Sequence, residues 1–157
     1  MVRATELIED SINKWERALK DYRMYKDDEE EVSEIINDLV SPCGYCEAFP
    51  NCHTCPLYYL KACNASKDTD YLFWRIIKYD NDKEEMIAEM LKIVKDNAHF
   101  IENFIKRYEL KPIENWLDYL FTEIEKINGV KYTYKVVNSY VDIYENDKYI
   151  AWTPRYD

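Results

Sequence analysis

The sequence predicts an α+β protein with four or five helices, a cysteine-rich metal knuckle and a C-terminal three-stranded antiparallel β-meander. The first indication of this fold class is a change in the spacing of apolar residues along the chain. Up to residue 127 the apolar residues recur at helical spacings of about three and four, whereas from residue 130 they alternate with a period of about two. All five cysteines also fall within residues 43–63, between the helical segments. We expect a single domain over residues 1–157, because this length is enough for one core.

Residues 5–40 carry the first helical pattern. The apolar stripe of the first helix, between residues 5 and 25, consists of Ile8, Ile12, Trp15, Leu19 and Tyr22. The acidic run 27–31 follows, and such a run is typical of a helix N-terminus, where it complements the helix dipole. The next apolar positions predict a second helix that ends at Ser41-Pro42. The pattern leaves open whether the two run on as one long helix.

Residues 70–127 predict the remaining helices. The apolar stretch 71–79 predicts a buried helix that Thr69 or Asp70 caps. A single apolar face up to residue 108 predicts one long helix after it.

Two local signals mark where these later helices begin and end. Asp82 and Glu85 resemble a capping box at the start of the long helix. Pro112 stands at the first position of the last helix, and Asn128-Gly129 is typical of its C-terminal cap.

Residues 130–153 predict three strands joined by two-residue turns at 138–139 and 146–147. The resulting register pairs Lys135 with Asp142, Tyr134 with Ile143, Val136 with Val141, Glu145 with Lys148, Ile143 with Ile150, and Val141 with Trp152. Opposite charges meet in both hairpins, which favours this register. One apolar face then collects Tyr132, Tyr134, Val136, Val141, Ile143, Ile150 and Trp152.

The cysteine segment 43–63 predicts a metal site. Each C-x-x-C turn presents two thiolates to one point, so two such turns supply a tetrahedral set for a structural zinc ion. The candidate ligands are Cys43, Cys46, Cys52 and Cys55, with Cys63 as a substitute or a spectator. Cys55-Pro56 is also typical of the last ligand of an iron–sulfur cluster, and disulfides are a further alternative.

The order of these cysteines resembles a cysteine-rich segment of small phage, prophage or archaeal-virus proteins. The resemblance rests on two C-x-x-C pairs around a short spacer, a proline after the second pair, and one more cysteine before an aromatic loop. It covers residues 43–71, under a fifth of the chain. It implies a viral or mobile-element origin and no particular chemistry.

The charge of the chain favours a basic partner. The net charge is −10, and residues 1–38 carry 12 acids against 6 bases while residues 80–129 carry 12 against 7. Such a surface repels phosphate backbones and attracts basic proteins, including those that bind nucleic acid, although it could also serve solubility alone.

The aromatic residues of the knuckle are candidates for the partner-binding surface. We expect Tyr45, Phe49 and Tyr58 to form an exposed aromatic anchor, together with Tyr59. The alternative is that Tyr58 and Tyr59 pack the knuckle against the helices, and for Tyr59 the sequence slightly favours this packing role.

The sequence favours a non-enzymatic acidic binding or regulatory protein, engaging a basic host protein. The chain begins without a signal-peptide pattern and holds no apolar run near the 18 or so residues of a membrane span, so an intracellular, cytoplasmic location is expected. The alternative is a divalent-metal-dependent nuclease that would use acidic residues as metal ligands. Its candidate residues are Glu84, Glu85 and Glu89, or Asp142 with Asp147.

Overall fold

The computed structural model describes residues 4–40, 49, 52–63, 70–108 and 113–155. The α-helices of these residues are α1 Ala4–Tyr25, α2 Glu29–Val40, α3 Pro56–Tyr59, α4 Leu72–Lys78, α5 Lys83–Asp96, α6 Ala98–Tyr108 and α7 Glu114–Asn128. A 3-10 helix, η1, spans Cys52–Thr54, and the strands are β1 Tyr132–Val137, β2 Tyr140–Glu145 and β3 Lys148–Pro154. The strands form one antiparallel sheet in chain order, so the α+β class is confirmed. None of the described helices is long and apolar enough to cross a bilayer.

The first two helices are separate, which answers the question that the sequence left open. The chain turns at residues 26–28, and the Asp28 carboxylate accepts hydrogen bonds from the backbone amides of Glu30 (3.1 Å) and Glu31 (3.3 Å). Asp28 therefore satisfies two of the amides that a helix N-terminus leaves without a partner. Glu29, Glu30 and Glu31 occupy the first turn of α2, as expected for acids beside the positive end of the helix dipole.

The single long helix predicted up to residue 108 is wrong, because Asn97 divides it into α5 and α6. The Asn97 side-chain amide donates to the Ile93 carbonyl (2.8 Å), and its backbone amide donates to the same carbonyl (3.1 Å). The Asn97 carbonyl in turn accepts a bond from the Ile101 amide (2.9 Å). A side chain that competes for backbone hydrogen bonds in this way ends one helix and begins the next. This break, together with the short α3, accounts for seven helices in the described residues instead of four or five.

The predicted caps of α4 and α5 are also corrected. Tyr71, and neither Thr69 nor Asp70, is the N-cap residue of α4. The first amides of α4 instead donate to carbonyls of the cysteine segment, Leu72 to Lys61 (3.0 Å) and Phe73 to Ala62 (2.8 Å). A tertiary contact therefore replaces the side-chain cap.

Asp82 is the N-cap of α5, but no capping box forms there. Its backbone lies in the left-handed region, with φ 62°, and its side chain makes no capping hydrogen bond.

The helices form a layer that supports one face of the sheet. Helix α1 packs against α2, α5 and α6, and α6 packs against α7. Helix α7 in turn contacts β1, and η1 contacts β3. The largest fully buried side chains include Tyr59, Phe104 and Trp116, so the core runs from the helical layer to the cysteine segment.

The register of the sheet is as predicted in the first hairpin and differs in the second. Strands β1 and β2 pair Lys135 with Asp142, Tyr134 with Ile143 and Val136 with Val141. Between β2 and β3, Glu145 pairs with Lys148 as predicted, but the register then shifts at Ile143 and Tyr144. The pairs beyond the shift are Ile143 with Ala151, Asp142 with Trp152, and Val141 with Thr153. The predicted pairs of Ile143 with Ile150 and Val141 with Trp152 are therefore wrong.

The physical reason is a β-bulge, in which Ile150 is the extra residue of β3. An extra residue reverses the alternation of every side chain after it. Thr153 is consequently buried beside Val141, whereas Trp152 moves to the opposite face and is 57% exposed. The bulge thus removes the bulkiest side chain of β3 from the core and presents it to solvent.

Candidate functional site

The described cysteines bracket a tight turn of the cysteine segment. Cys55 is the N-cap of α3, and the amides of Ala62 (2.9 Å) and Cys63 (3.3 Å) both donate to the Leu57 carbonyl. The chain reverses at Lys61, whose backbone has a φ of 60°. This reversal brings the Cys63 backbone back to the first turn of α3, which begins directly after Cys55. The two thiols are partly exposed and form no disulfide with each other.

The rest of the predicted ligand set lies outside the described residues. This holds for Cys43 and Cys46, and for the side chain of Cys52, whose backbone begins η1. Within the described part of the chain, no three side chains of histidine, cysteine, aspartate or glutamate converge as a metal site would require. The same is true of the acidic residues considered for a nuclease, such as Glu84, Glu85 and Glu89 on α5, which form no such group.

The expected exposed anchor at Phe49 and Tyr58 is wrong, because both side chains are buried. Phe49 is 3% exposed and packs against Phe104 and Tyr108 of α6, with ring centroids 5.5 Å and 4.9 Å away. Tyr58 is 7% exposed and lies edge-on to the rings of His53 (4.8 Å) and Tyr59 (4.9 Å). Both side chains fill the space between the cysteine segment and the helices. The third predicted anchor, Tyr45, lies outside the described residues.

Tyr59 has the packing role that the sequence favoured for it. Its side chain is fully buried, and its ring packs against Phe121 of α7 and Tyr132 of β1 at 5.2 Å and 4.8 Å. The Tyr59 hydroxyl donates to the His53 carbonyl at 2.6 Å, and the Tyr59 carbonyl accepts a bond from the Asn128 side chain at 3.1 Å. Burial raises the pKa of Tyr59 well above its usual value, so the hydroxyl stays a donor. Tyr59 therefore joins the cysteine segment to α7 and the sheet.

A charged cluster closes the same junction at its edge. One oxygen of Glu145 accepts hydrogen bonds from the Tyr132 hydroxyl (2.6 Å) and the Lys61 ammonium (2.9 Å). The hydrogen bond from Tyr132 is the main reason that the pKa of Glu145 lies below its usual value, and the bond from Lys61 lowers it further. The Lys61 ammonium also lies 5.5 Å from the centre of the Tyr71 ring, beside an open cavity of about 490 Å³. The charges of Lys61 and Glu145 compensate each other, so the cluster is equipped to hold the fold together.

A group of exposed aromatic residues lies instead on the face of the sheet that points away from α7 and η1. On β2 the buried side chains of Val141 and Ile143 define the inner face, so their neighbours in the strand point outward. We call this the outer face. It carries Lys135, Tyr140, Asp142, Tyr144, Tyr149 and Trp152, together with the cross-strand partners Thr133, Val137 and Pro154. Trp152 is 57%, Tyr149 50% and Tyr140 37% exposed.

The four rings of the outer face are arranged in two cross-strand pairs. Tyr140 and Trp152 have centroids 6.1 Å apart with planes at 71°, and Tyr144 and Tyr149 have centroids 5.9 Å apart with planes at 75°. Edge-to-face pairs of this kind fix ring positions and leave one ring face open. Between the two pairs lies Asp142, which Lys135 and Trp152 flank on the adjacent strands. The result is an aromatic surface with one carboxylate at its centre.

Sequence reasoning missed this face, although part of its signal was visible. In the predicted meander Tyr140, Tyr144 and Tyr149 already alternate with the apolar face, and three tyrosines on a nominally polar face are unusual for a solvated sheet. Trp152 gave no such signal, since its position depends on the bulge.

Comparisons with known proteins give no relative: no family model, curated protein or solved structure matches this chain.

Proposed function

We propose that this protein is a non-enzymatic binding protein that engages a basic partner protein through the outer face. The observation that carries the proposal is the set of four aromatic side chains on that face. Tyrosine and tryptophan dominate the centres of protein interfaces because they supply large contact areas at low entropic cost. A soluble protein gains nothing in stability from leaving Trp152 57% exposed, which favours a role in binding.

The charge of the chain supports a basic protein as the partner. The net charge is −10, and the described residues of the acidic segments 1–38 and 80–129 lie mostly in helices, outside the sheet. Those helices would attract a basic protein from a distance and accelerate its association, while the outer face would determine how long it stays bound. The same charge disfavours nucleic acid on this face, although aromatic sheet surfaces can stack bases.

The cysteine segment would then act as a scaffold stabilised by structural zinc, which we include in the proposal. The spacing of the five cysteines supports this role, and so does the turn that returns Cys63 towards α3. A viral or mobile-element origin, with a host protein as the partner, also belongs to the proposal and rests on the resemblance of that segment.

The test of the binding surface compares two exposed side chains. Partners captured from a cell lysate are purified, and their affinity for the wild-type protein is measured by calorimetry. We expect Trp152→Ala to weaken binding by about 30-fold or more, as at an interface hot spot. Its control is Met24→Ala, which truncates a side chain that is 61% exposed at the end of α1 and should leave the affinity unchanged. Both variants should unfold within about 0.5 kcal/mol of wild type, because the two side chains are exposed.

Three results would contradict the proposal. One is a partner whose affinity ignores Trp152→Ala or falls equally with Met24→Ala. Another is a dimer in light scattering that Trp152→Ala dissociates, because the face would then bind a second copy of this chain. The last is tight binding of single-stranded oligonucleotides that Trp152→Ala abolishes.

The zinc component has a separate test. Protein purified without chelator should hold about one zinc ion per chain, and Cys43→Ser or Cys46→Ser should remove the metal and lower the free energy of unfolding. A strong chelator should have the same effect as these substitutions. Metal-free protein that keeps full stability in chelator but loses it in reductant would indicate disulfides, and iron with visible absorbance would indicate an iron–sulfur cluster.

A further inference from the structure

We infer that Asp142 and the rings around it bind a cationic side chain of the partner, and that this side chain is an arginine. The inference deepens the proposed function and rests on it for the identity of the outer face as a binding surface. It adds a specific recognition site at the centre of that face and the chemical group that the site takes.

The position of Asp142 carries the first step. Asp142 lies in the middle strand, with Trp152 directly opposite on β3 and Lys135 directly opposite on β1. Tyr140 and Tyr144 are its neighbours on the same face of β2, about 7 Å away along the strand. A group placed over the carboxylate would therefore lie within reach of three aromatic rings.

The second step is the bonding state of the Asp142 carboxylate. Among the residues that the structure describes, none forms a hydrogen bond or ion pair with it. Other carboxylates nearby differ in this respect: Glu145 is bound by Tyr132 and Lys61, and Glu114 by Arg155. Asp142 thus keeps its acceptor oxygens available at the centre of a face that carries four aromatic rings.

A carboxylate framed by aromatic rings favours a cation, since the carboxylate pairs with the charge and the ring faces attract it. Arginine fits better than lysine, because its planar guanidinium can stack on a ring while donating two parallel hydrogen bonds to a carboxylate. An arginine on the partner also agrees with the net charge of −10 of this chain.

The ammonium group of Lys135 competes with a bound cation for the Asp142 carboxylate. Lys135 lies directly opposite Asp142 and is exposed, so its ammonium opposes the entry of another cation by charge repulsion. Removing the Lys135 charge should therefore strengthen arginine binding, whereas removing any other exposed lysine should not. An increase in arginine affinity on removal of the Lys135 charge distinguishes a cation site from an apolar surface.

The experiment uses small probes and does not require the partner. The Nα-acetylated amides of arginine, lysine and citrulline, of which citrulline has the neutral side chain isosteric with that of arginine, are titrated into the full-length protein, and the indole resonance of Trp152 is followed by NMR. We expect arginine amide to bind about fivefold or more tightly than citrulline amide, with lysine amide between them. Asp142→Asn should abolish the preference, and Lys135→Met should increase arginine affinity by about two- to threefold. Asp147→Asn is the matched control in the adjacent turn and should leave the preference intact.

The outcomes separate this inference from the proposed function. Equal binding of arginine and citrulline amides, no response of Trp152, or an equal effect of Asp142→Asn and Asp147→Asn would overturn the arginine site. If a partner then still depends on Trp152 but not on Asp142, the binding function stands and the arginine site fails. Arginine selectivity that Asp142→Asn abolishes would support the site even when no partner depends on Trp152.

Discussion

At the scale of residues, the Tyr59 hydroxyl makes a buried hydrogen bond whose contribution to stability can be measured. It donates to the His53 carbonyl at 2.6 Å from a fully buried position. We expect Tyr59→Phe to lower the free energy of unfolding by about 1.5 kcal/mol, because the substitution keeps the ring and leaves a carbonyl without this donor. Urea denaturation measures the change. The control is Tyr140→Phe on the outer face, where the hydroxyl is exposed and the loss should be near zero; equal losses in both variants would contradict the role given to Tyr59.

The sequence shows which aromatic side chains belong to the cysteine segment, but it does not show whether each of them is buried or exposed. The packing role that the sequence favours for Tyr59 is confirmed. Phe49 and Tyr58 were expected to be exposed and are buried. Aromatic density has the same appearance in a binding surface and in a packed junction, because both are enriched in tyrosine and phenylalanine. The two are distinguished only by contacts with later parts of the chain: Phe49 packs against Phe104 of α6, and the Tyr58 ring packs against the Tyr71 ring at 5.6 Å.

At the scale of elements, Gly129 shows a cap that the sequence did predict. It ends α7 with a φ of 76°, and its amide donates to the Glu125 carbonyl at 2.8 Å. A Cβ built on Gly129 would meet no atom within 4 Å, so a substitution there is opposed by backbone strain alone. We expect Gly129→Ala to cost about 1 kcal/mol of unfolding free energy. Gly129→Asn should cost less, because asparagine tolerates the left-handed region; a larger loss with asparagine would show that space, and not backbone conformation, decides.

The turn between β2 and β3 offers a prediction of the opposite sign. Asn146 and Asp147 both have positive φ, 48° and 68°, as a two-residue hairpin turn of type I′ requires. Glycine is the preferred second residue of such a turn, so Asp147→Gly should raise the free energy of unfolding by about 0.5 kcal/mol. Asp147→Ala removes the same carboxylate without the conformational gain and should lower it. Denaturant titrations of both variants test the pair, and a gain with alanine would assign the effect to charge.

Some element boundaries followed from a local signal in the sequence, as at Gly129 and at the Asn146 turn, whereas the local break at Asn97 did not. They did not follow where tertiary contacts decided. The start of α4 depends on the carbonyls of Lys61 and Ala62. The bulge of β3 depends on how the side chains of Ile150 and Thr153 pack against the core. The bulge places Trp152 on the outer face, which explains why Trp152 was missed as a candidate residue.

At the scale of the whole molecule, the end of β3 is tied to the start of α7 by an ion pair. The Arg155 side chain donates to both oxygens of Glu114, each at 3.0 Å, and both side chains are partly buried. The pair joins the last described residue to a helix that lies 41 residues earlier in the chain. It therefore fixes the sheet, and with it the outer face, against the helical layer.

This ion pair makes a definite prediction for acid stability. Its hydrogen bonds lower the pKa of Glu114 below the usual 4.5. A carboxyl whose pKa is lower in the folded state stabilises the fold above pH 4.5, and the contribution disappears as the pH falls through the folded-state pKa. We expect Glu114→Gln to lower the free energy of unfolding by about 1 kcal/mol at pH 7, and the difference from wild type to shrink as the pH falls below 4.5. The control is Asp96→Asn, which breaks the more exposed pair with Lys92 and should cost less at pH 7. A difference between Glu114→Gln and wild type that stays constant from pH 7 to pH 3 would show that Arg155 does not stabilise the ionised carboxylate.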